Sequence, residues 1–290
     1  MMKNVGFIGL GNMGMPMAKN MMAEGYVVTG FNRSKGKEQG FSEVGGKVGY
    51  SVAQLAETED VICLCLPKPE DVERMVLGED GILNHAKEGL YIVDFSTISP
   101  KLAEHLYQVC HQRNIHFVDA PVSGGTTGAE AGTLTVMVGG EKEVFSQLYS
   151  LFKSVGEQIF HTGAAGSGTK VKLLNQYMVG MHTLAVAEGV GLAEQSGVDP
   201  ELVYEILSQS FAQSKLYDRH YPNFIAKDQF DGGFAIELLF KDLDLVREMA
   251  EESDTPLTIG RQVTSQFEQA AHSDLKKKDM SAMYKFINKQ

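Results

Sequence analysis

Cysteine is scarce, three in 290 residues. An odd count without metal-ligand spacing excludes a disulfide framework and speaks against a zinc site. Cys63 and Cys65 fall in the apolar run VICLCLP, where free cysteine acts as a small hydrophobe, and Cys110 stands alone on a predicted helix. No stretch approaches the ~18 uninterrupted apolar residues of a membrane span. No basic region followed by a long apolar run opens the chain, so a signal peptide is not expected and a cytoplasmic location is. Basic residues are outnumbered, 26 against 37 acidic, giving a net charge of −11. Nonspecific nucleic-acid binding, which needs basic groups to neutralise phosphates, is disfavoured. An acidic protein that binds an anion must concentrate positive charge locally, so each lysine and arginine position carries information. The eight histidines are scattered, and none is assigned to chemistry.

What is present is a globular composition, 43% hydrophobic and 22% charged, with ample material for a core. At roughly 150 residues per domain the length fits one large domain or two moderate ones. Near the start, KNVGFIGLGNMGMPMAKNMMAEGY reads as a strand from Val5 to Ile8, a turn, and a helix stopped by Gly25. The turn, Gly9-Leu10-Gly11-Asn12-Met13-Gly14, is a GxGxxG pattern between strand and helix, with a second strand, YVVTGF, beyond. In that setting Gly9 permits the tight turn and Gly11 lets a pyrophosphate approach the backbone. Gly14 lets the helix pack close to the sheet, its N-terminus facing the phosphates.

The end of the second strand bears on which dinucleotide is bound. An acidic residue about 20 positions after the glycines usually accepts from the ribose hydroxyls in NAD sites. Here Asn32 takes that place, followed by Arg33, Ser34, Lys35 and Lys37. A neutral acceptor beside a guanidinium suits a 2′-phosphate, so NADP(H) is expected over NAD(H); the alternative is a basic loop in water. Strands and helices continue to alternate through DVICLCLP, LYIVDFST, IHFVDAPVSGG, TLTVMVGG and EQIFHTG. Ligands bind beyond the carboxyl ends of such strands, which nominates Leu66, Pro67, Ser96, Thr97 and the PVSGG loop by position. Ser123, Gly124 and Gly125 offer a hydroxyl and exposed backbone N–H groups, a donor set suited to a carboxylate or, equally, turn punctuation.

After Gly163 the strand signal ends. A long helix is predicted from Lys170 to Gln195, followed by further helices to the C-terminus. At about 100° per residue, Lys170 and Lys172 point roughly 160° apart. Lys172 shares a face with Asn175 and Gln176, whereas Lys170 lies over Leu173, Leu174 and Tyr177. An ammonium beside two carboxamides can orient a substrate oxygen and exchange a proton with it. A solvated helix start with two ordinary lysines explains the same segment equally well.

Four stretches together carry a resemblance: GFIGLGNMGMPMAKNM, DAPVSGGTTGAEAGTL, GAAGSGTKVKLLNQ and FKDLDL. In this order and spacing the chain resembles the β-hydroxyacid dehydrogenase family, which includes 3-hydroxyisobutyrate dehydrogenase and tartronate semialdehyde reductase. The resemblance implies Lys172 as catalytic lysine, Ser123 and Gly124 as contacts of the substrate carboxylate, and Asn175 and Gln176 as polar partners. It implies that Lys241, next to Asp242, reaches the cofactor, and that Thr97 lies near the nicotinamide ribose. Without it, Glu237 and Lys241 read as an i,i+4 surface pair. KLLNQ is closer to the tartronate semialdehyde reductase pattern than to the paired asparagines of many 3-hydroxyisobutyrate enzymes.

The expected fold is α/β: an N-terminal Rossmann domain (1–163) with a doubly wound, mostly parallel sheet, then an all-α domain (164–290) for substrate binding and oligomerisation. The expected activity is NADP(H)-dependent interconversion of a short hydroxy acid and its semialdehyde. The active site is expected where the sheet's carboxyl edge meets the long helix, and the chain is expected to form a dimer or tetramer without metal. Tartronate semialdehyde, succinic semialdehyde and glyoxylate remain alternative substrates. A non-catalytic dinucleotide-binding module is the rival of another class. Lys172 counts against an imine reductase, and chain length against a 6-phosphogluconate type of enzyme.

Overall fold

Short apolar strands, each bounded by glycine, proline or a helix cap, make the first part of the chain a layered α/β structure. The computed structural model describes residues 2–288. In chain order the elements are β1 (Asn4–Ile8), α1 (Gly14–Ala23), β2 (Val27–Phe31), α2 (Lys35–Glu43), α3 (Val52–Thr58), β3 (Val61–Leu64), α4 (Pro69–Leu77) and α5 (Ile82–His85). They continue as β4 (Tyr91–Asp94), α6 (Pro100–His111), β5 (His116–Asp119), β6 (Val122–Ser123), α7 (Gly125–Ala131), β7 (Leu134–Gly139), α8 (Lys142–Lys153) and β8 (Gly156–Gly163). The strands form one sheet in the order β2-β1-β3-β4-β5-β7-β6, with β8 paired to β7. β1 to β5 run parallel; β7 is antiparallel to β5 and β6 and parallel to β8.

Register matters more than strand count. Ile8 pairs with both Phe31 and Leu64, Leu64 with Asp94, and Asp94 with Asp119. Five parallel strands therefore end in one row, and the segments that follow them leave the same edge. Two apolar clusters cover the faces of this sheet, one built around Phe7, Met17, Phe95 and Phe152, the other around Leu55, Ile62, Leu106 and Phe117.

Four helices in this part, α2, α3, α5 and α7, were absent from the sequence reading; α2 and α7 are formed by packing against weak propensity. α2, KGKEQGFSE, is anchored by Phe41, which is fully buried; a Cβ on Gly46 would stand 2.2 Å from its ring. α7, GTTGAEA, buries Gly128 and Ala129, and Asn20 Nδ2 of α1 donates to Ala129 O at 2.7 Å.

The remaining elements are helical: α9 (Ser167–Gln195), α10 (Pro200–Leu207), α11 (Lys215–His220) with a π turn (Tyr221–Ile225), α12 (Ile236–Glu252), α13 (Thr258–Ala271), a 3₁₀ turn (Met280–Ala282) and α14 (Met283–Asn288). The chain divides into two compact units, Met1–Lys172 and Leu173–Gln290. The change from strand to helix comes at Gly163, but the change of packing partner comes later. Gly168 still lies against the sheet, where a Cβ would stand 2.3 Å from Met137 O, whereas Leu173 joins Leu245 and Val246. The second unit's main core gathers Val190, Tyr217, Tyr221, Leu239 and Phe267. Beside it, Arg219 binds Asp279 through two hydrogen bonds, of 3.0 and 2.6 Å, and His220 lies between Thr183 and Arg219. Among the described residues no helix is long and apolar enough to cross a membrane.

Candidate active site

The glycine turn sits at the row of strand ends, and the three glycines differ in what demands them. Gly9 has φ +105°, and a Cβ there would stand 2.3 Å from Cys65 O. A Cβ on Gly14 would stand 1.9 Å from Gly9 O. The fold itself requires both. A Cβ on Gly11 would meet nothing within 4 Å, so the space above it is open. The first turn of α1 carries no acidic residue, and its N-cap, Met13, offers no side-chain cap. Met15 N–H is already bonded to Gly11 O at 3.0 Å and Pro16 has no N–H, so the suitability of this helix end for an anion rests on the helix dipole and on the open space above Gly11. This fits a dinucleotide pyrophosphate.

Asn32 follows β2. Its Oδ1 accepts from Leu10 N–H at 3.0 Å, and its Nδ2 donates to Ser34 O at 3.2 Å. The carboxamide thus braces the glycine turn at Leu10, next to Gly9, whose N–H donates to Phe31 O at 3.0 Å. Asn32 N–H donates to Glu38 Oε1 at 3.0 Å, and Glu38, nearly fully buried, also receives Lys35 Nζ at 2.9 Å. Lys35 is thereby neutralised locally. Arg33 and Ser34 are exposed, and Arg33 has no ion-pair partner among the described residues.

Past β3, half-buried Leu66 donates its N–H to Ser96 Oγ at 2.9 Å, and exposed Pro67 comes next. Ser96 N–H donates to Asp94 Oδ1 at 2.9 Å, tying the loops after β3 and β4 together just before half-buried Thr97. Ser123 ends the short strand β6, opposite Thr135 of β7. Gly124 (φ +138°) and Gly125 (φ +63°) then turn the chain into α7 and are exposed, so backbone conformations that suit glycine set the mouth of this loop.

Asp119, at the end of β5, is a residue the sequence reading passed over. It is fully buried; Oδ1 accepts from Gly166 N–H at 2.7 Å and Oδ2 from Thr169 N–H at 2.8 Å. Burial pushes its carboxyl up, and the two backbone N–H bonds pull it back. Asp119 thus clamps the first turn of α9 to the sheet, at a place where Gly139 and Gly168 leave no room for side chains. The available signal was an acid closing an otherwise apolar strand, since buried Asp is rare unless paired.

One turn beyond that clamp lies Lys172, 8% exposed. Lys170 is exposed, and its Nζ pairs with Glu104 of α6 at 2.8 Å. The two lysines of one segment are therefore in different environments. In the second unit, Asn175 Nδ2 donates to Gln176 Oε1 at 2.9 Å, and Gln176 Nε2 donates to Asp242 Oδ2 at 2.6 Å. Lys241 Nζ stands 2.8 Å from Asp242 Oδ1. Gln176 and Asp242 are almost fully buried, so this chain of four side chains links α9 to α12. Gln176 spends both ends of its carboxamide within the chain, and Asn175, half-buried, is its outer member. The ion pair with Asp242 adds a buried partner to what Lys241 showed in the sequence.

A glycine turn between strand and helix on the carboxyl edge of a parallel sheet, with a buried lysine one turn past the point where α9 is clamped to that sheet, is the arrangement of a dinucleotide-dependent oxidoreductase. Comparison with known proteins gives the family. Residues 4–163 match the NAD binding domain of 6-phosphogluconate dehydrogenase, and residues 166–287 match the NAD-binding family of NADP-dependent 3-hydroxyisobutyrate dehydrogenase. The 2-(hydroxymethyl)glutarate dehydrogenase of Eubacterium barkeri is 37% identical over 281 residues, 97% of this chain and 93% of that one. The NAD-dependent L-serine dehydrogenase of Pseudomonas aeruginosa is 32% identical over 293 residues, 99% and 98% of the two chains. The structure of Mycobacterium tuberculosis 3-hydroxyisobutyrate dehydrogenase with L-serine matches with a TM-score of 0.91 at 29% identity, over 99% of each chain. The chain belongs to the β-hydroxyacid dehydrogenase family and is an NAD(P)-dependent oxidoreductase acting on CH–OH groups.

Proposed function

We propose that this protein interconverts a short acid of the form HOCH2–CHR–COO⁻ and its semialdehyde, with NADP(H) preferred over NAD(H) and Lys172 as the proton-transferring residue. The observation that carries the reading is the contrast between buried Lys172, one turn past the Asp119 clamp, and exposed, ion-paired Lys170. The substrate form rests on the relatives' names. 2-(Hydroxymethyl)glutarate, 3-hydroxyisobutyrate and L-serine differ in R but share a primary alcohol β to a carboxylate.

Bound dinucleotide supplies the hydride for reduction and accepts it in oxidation. In reduction, Lys172 in its ammonium form stabilises the oxygen charge that develops on the aldehyde and donates its proton to that oxygen; in oxidation the free amine takes the proton back. Ser123 Oγ and the Gly124 and Gly125 N–H groups hold the substrate carboxylate and so fix which face of the carbonyl is presented. Asn175 adds a carboxamide one turn from Lys172, and Gln176 positions Asn175 through the Asp242 chain. On the cofactor side, Gly9 to Gly14 take the pyrophosphate, Asn32 braces that turn, and Arg33 with Ser34 takes the 2′-phosphate. Leu66, Pro67, Thr97 and Lys241 complete the contacts.

Tartronate semialdehyde fits the same form with R = OH, and KLLNQ supports it as the second reading. A panel of aldehydes with NADPH and NADH tests the proposal. Methylmalonate semialdehyde or tartronate semialdehyde should turn over, with kcat/KM at least tenfold above succinic semialdehyde and glyoxylate, which lack the β relation. Preference for either of the latter two, or no turnover of any, would remove the substrate assignment.

A further inference from the structure

The segment that follows β2 carries three cations, Arg33, Lys35 and Lys37, and one acid, Glu38. The cations are exposed. Glu38, in the first turn of α2, is only 6% exposed. Both of its carboxylate oxygens lie 2.9 Å from Lys35 Nζ, and Oε1 also accepts from Asn32 N–H at 3.0 Å. The Lys35 side chain is 73% exposed, and its Nζ stands 5.4 Å from the centre of the Phe31 ring. A surface ammonium is thus tied down by a buried acid and an aromatic face.

Bracing this segment does not require a charge at Glu38. A carboxamide in its place would accept from Asn32 N–H through the same oxygen and cost less to bury. An i,i+3 ion pair with one member in water adds little to stability. What the carboxylate adds over a carboxamide is its hold on Lys35. That hold matters to a ligand that differs from its rival by charge alone. The 2′-phosphate of NADP(H) carries nearly two negative charges, where NAD(H) has a neutral hydroxyl.

We infer that Glu38 sets the dinucleotide selectivity of this site by neutralising Lys35 and holding it off the 2′-phosphate, which leaves Arg33 as that group's principal cation. The inference rests on the NADP(H) reading given above and adds its limit: Arg33 creates the preference, and Glu38 restrains it. With the clasp closed, NADPH gains the attraction of one guanidinium, and NADH remains a usable cofactor. With the clasp opened, Lys35 lies two residues from Arg33, and its flexible stem lets the ammonium swing toward the same anion. Glu38 is a positioning residue in this account. It acts through Lys35 and touches neither substrate nor dinucleotide.

Fluorescence titration with NADPH and with NADH tests it, read as the ratio of the two affinities. Glu38→Gln should tighten NADPH by about fivefold or more, the gain from one added charge-assisted contact, and leave NADH within about twofold. Lys35→Met in that background should return NADPH to within about twofold of wild type, because the released ammonium is gone. Lys35→Met alone leaves the carboxylate unneutralised and should weaken NADPH by about threefold or more, an arm that stands even if Glu38→Gln folds poorly. An unchanged ratio in Glu38→Gln, an equal loss of both dinucleotides, or a gain that persists in the double variant would overturn the inference. Arg33→Ala, titrated alongside, separates the two claims. If it lowers the ratio while Glu38→Gln does not raise it, the clasp fails and the NADP(H) reading stands. If it too leaves the ratio unmoved, the 2′-phosphate reading falls and the inference falls with it.

Discussion

Removing the Asp119 carboxylate should loosen the helix that carries Lys172 without touching the cofactor turn. Asp119→Ala leaves the N–H groups of Gly166 and Thr169 in a buried void, at about 1–3 kcal/mol each. Relief from burying a charge returns part of that, so a net loss of about 2–4 kcal/mol is expected in urea unfolding. Asp119→Asn keeps one acceptor oxygen but turns an NH2 toward the other N–H, for a smaller loss of about 1–2 kcal/mol. Lys172 lies three residues beyond Thr169, and a misplacement of about 1 Å can cost ~10²-fold in rate, so kcat should fall roughly 10- to 100-fold in the alanine variant. Dinucleotide affinity, measured by fluorescence titration, should stay within about twofold, because Gly9 to Gly14 lie beyond a different strand. Stability within about 0.5 kcal/mol of wild type together with unchanged kcat would refute the clamp.

The three glycines of the turn should separate in the same assays. Gly14→Ala should destabilise by about 1–3 kcal/mol through its clash with Gly9 O, whereas Gly11→Ala, facing open space, should keep its stability and lose at least tenfold in dinucleotide affinity. Equal effects would contradict the division. Arg33→Ala should weaken NADPH far more than NADH, and equal weakening would end the 2′-phosphate assignment. Burial and the neighbouring Arg219 guanidinium push the His220 imidazole down to about 3, with Asp279 opposing. Its folded value lies below the unfolded ~6.5, so the unfolded chain binds the extra proton in that window. The contribution of neutral His220 is thus complete above about pH 6.5 and declines as pH falls toward 3, by up to about 1.4 kcal/mol per pH unit. His220→Gln should flatten the pH dependence of stability between pH 4.5 and 6.5, and an unchanged slope would count against it.

What could be read in advance depended on whether a residue's reason lay along the chain or across it. Gly9 and Gly14 announced themselves because a strand, a turn and a helix follow one another directly. The helical phase that set Lys172 apart from Lys170 is likewise local, and the observed difference in exposure follows it. Asp119 acts on Gly166 and Thr169 from some fifty positions away, so no spacing rule pointed to it. Asn32 was legible as a departure from an acidic ribose ligand, but its bond to Leu10 N–H depends on β1 and β2 being neighbours. α2 and α7 were missed for a related reason, their glycine-rich sequences being held by Phe41 and by contacts with α1 and β7. Gln176 showed its face in the sequence, but that its carboxamide is committed to Asn175 and Asp242 required the arrangement of α12.

The most direct test of the central claim is single-turnover reduction by Lys172→Ala beside Lys170→Ala, with dinucleotide affinity measured on the same preparations. The account predicts a rate lowered roughly 10²–10⁴-fold in Lys172→Ala, the range for losing a positioned proton donor, with NADPH affinity nearly intact. Lys170→Ala should lose no more than about twofold, since it gives up only an exposed ion pair with Glu104. Near-normal turnover in Lys172→Ala, or an equally deep loss in Lys170→Ala, would contradict it.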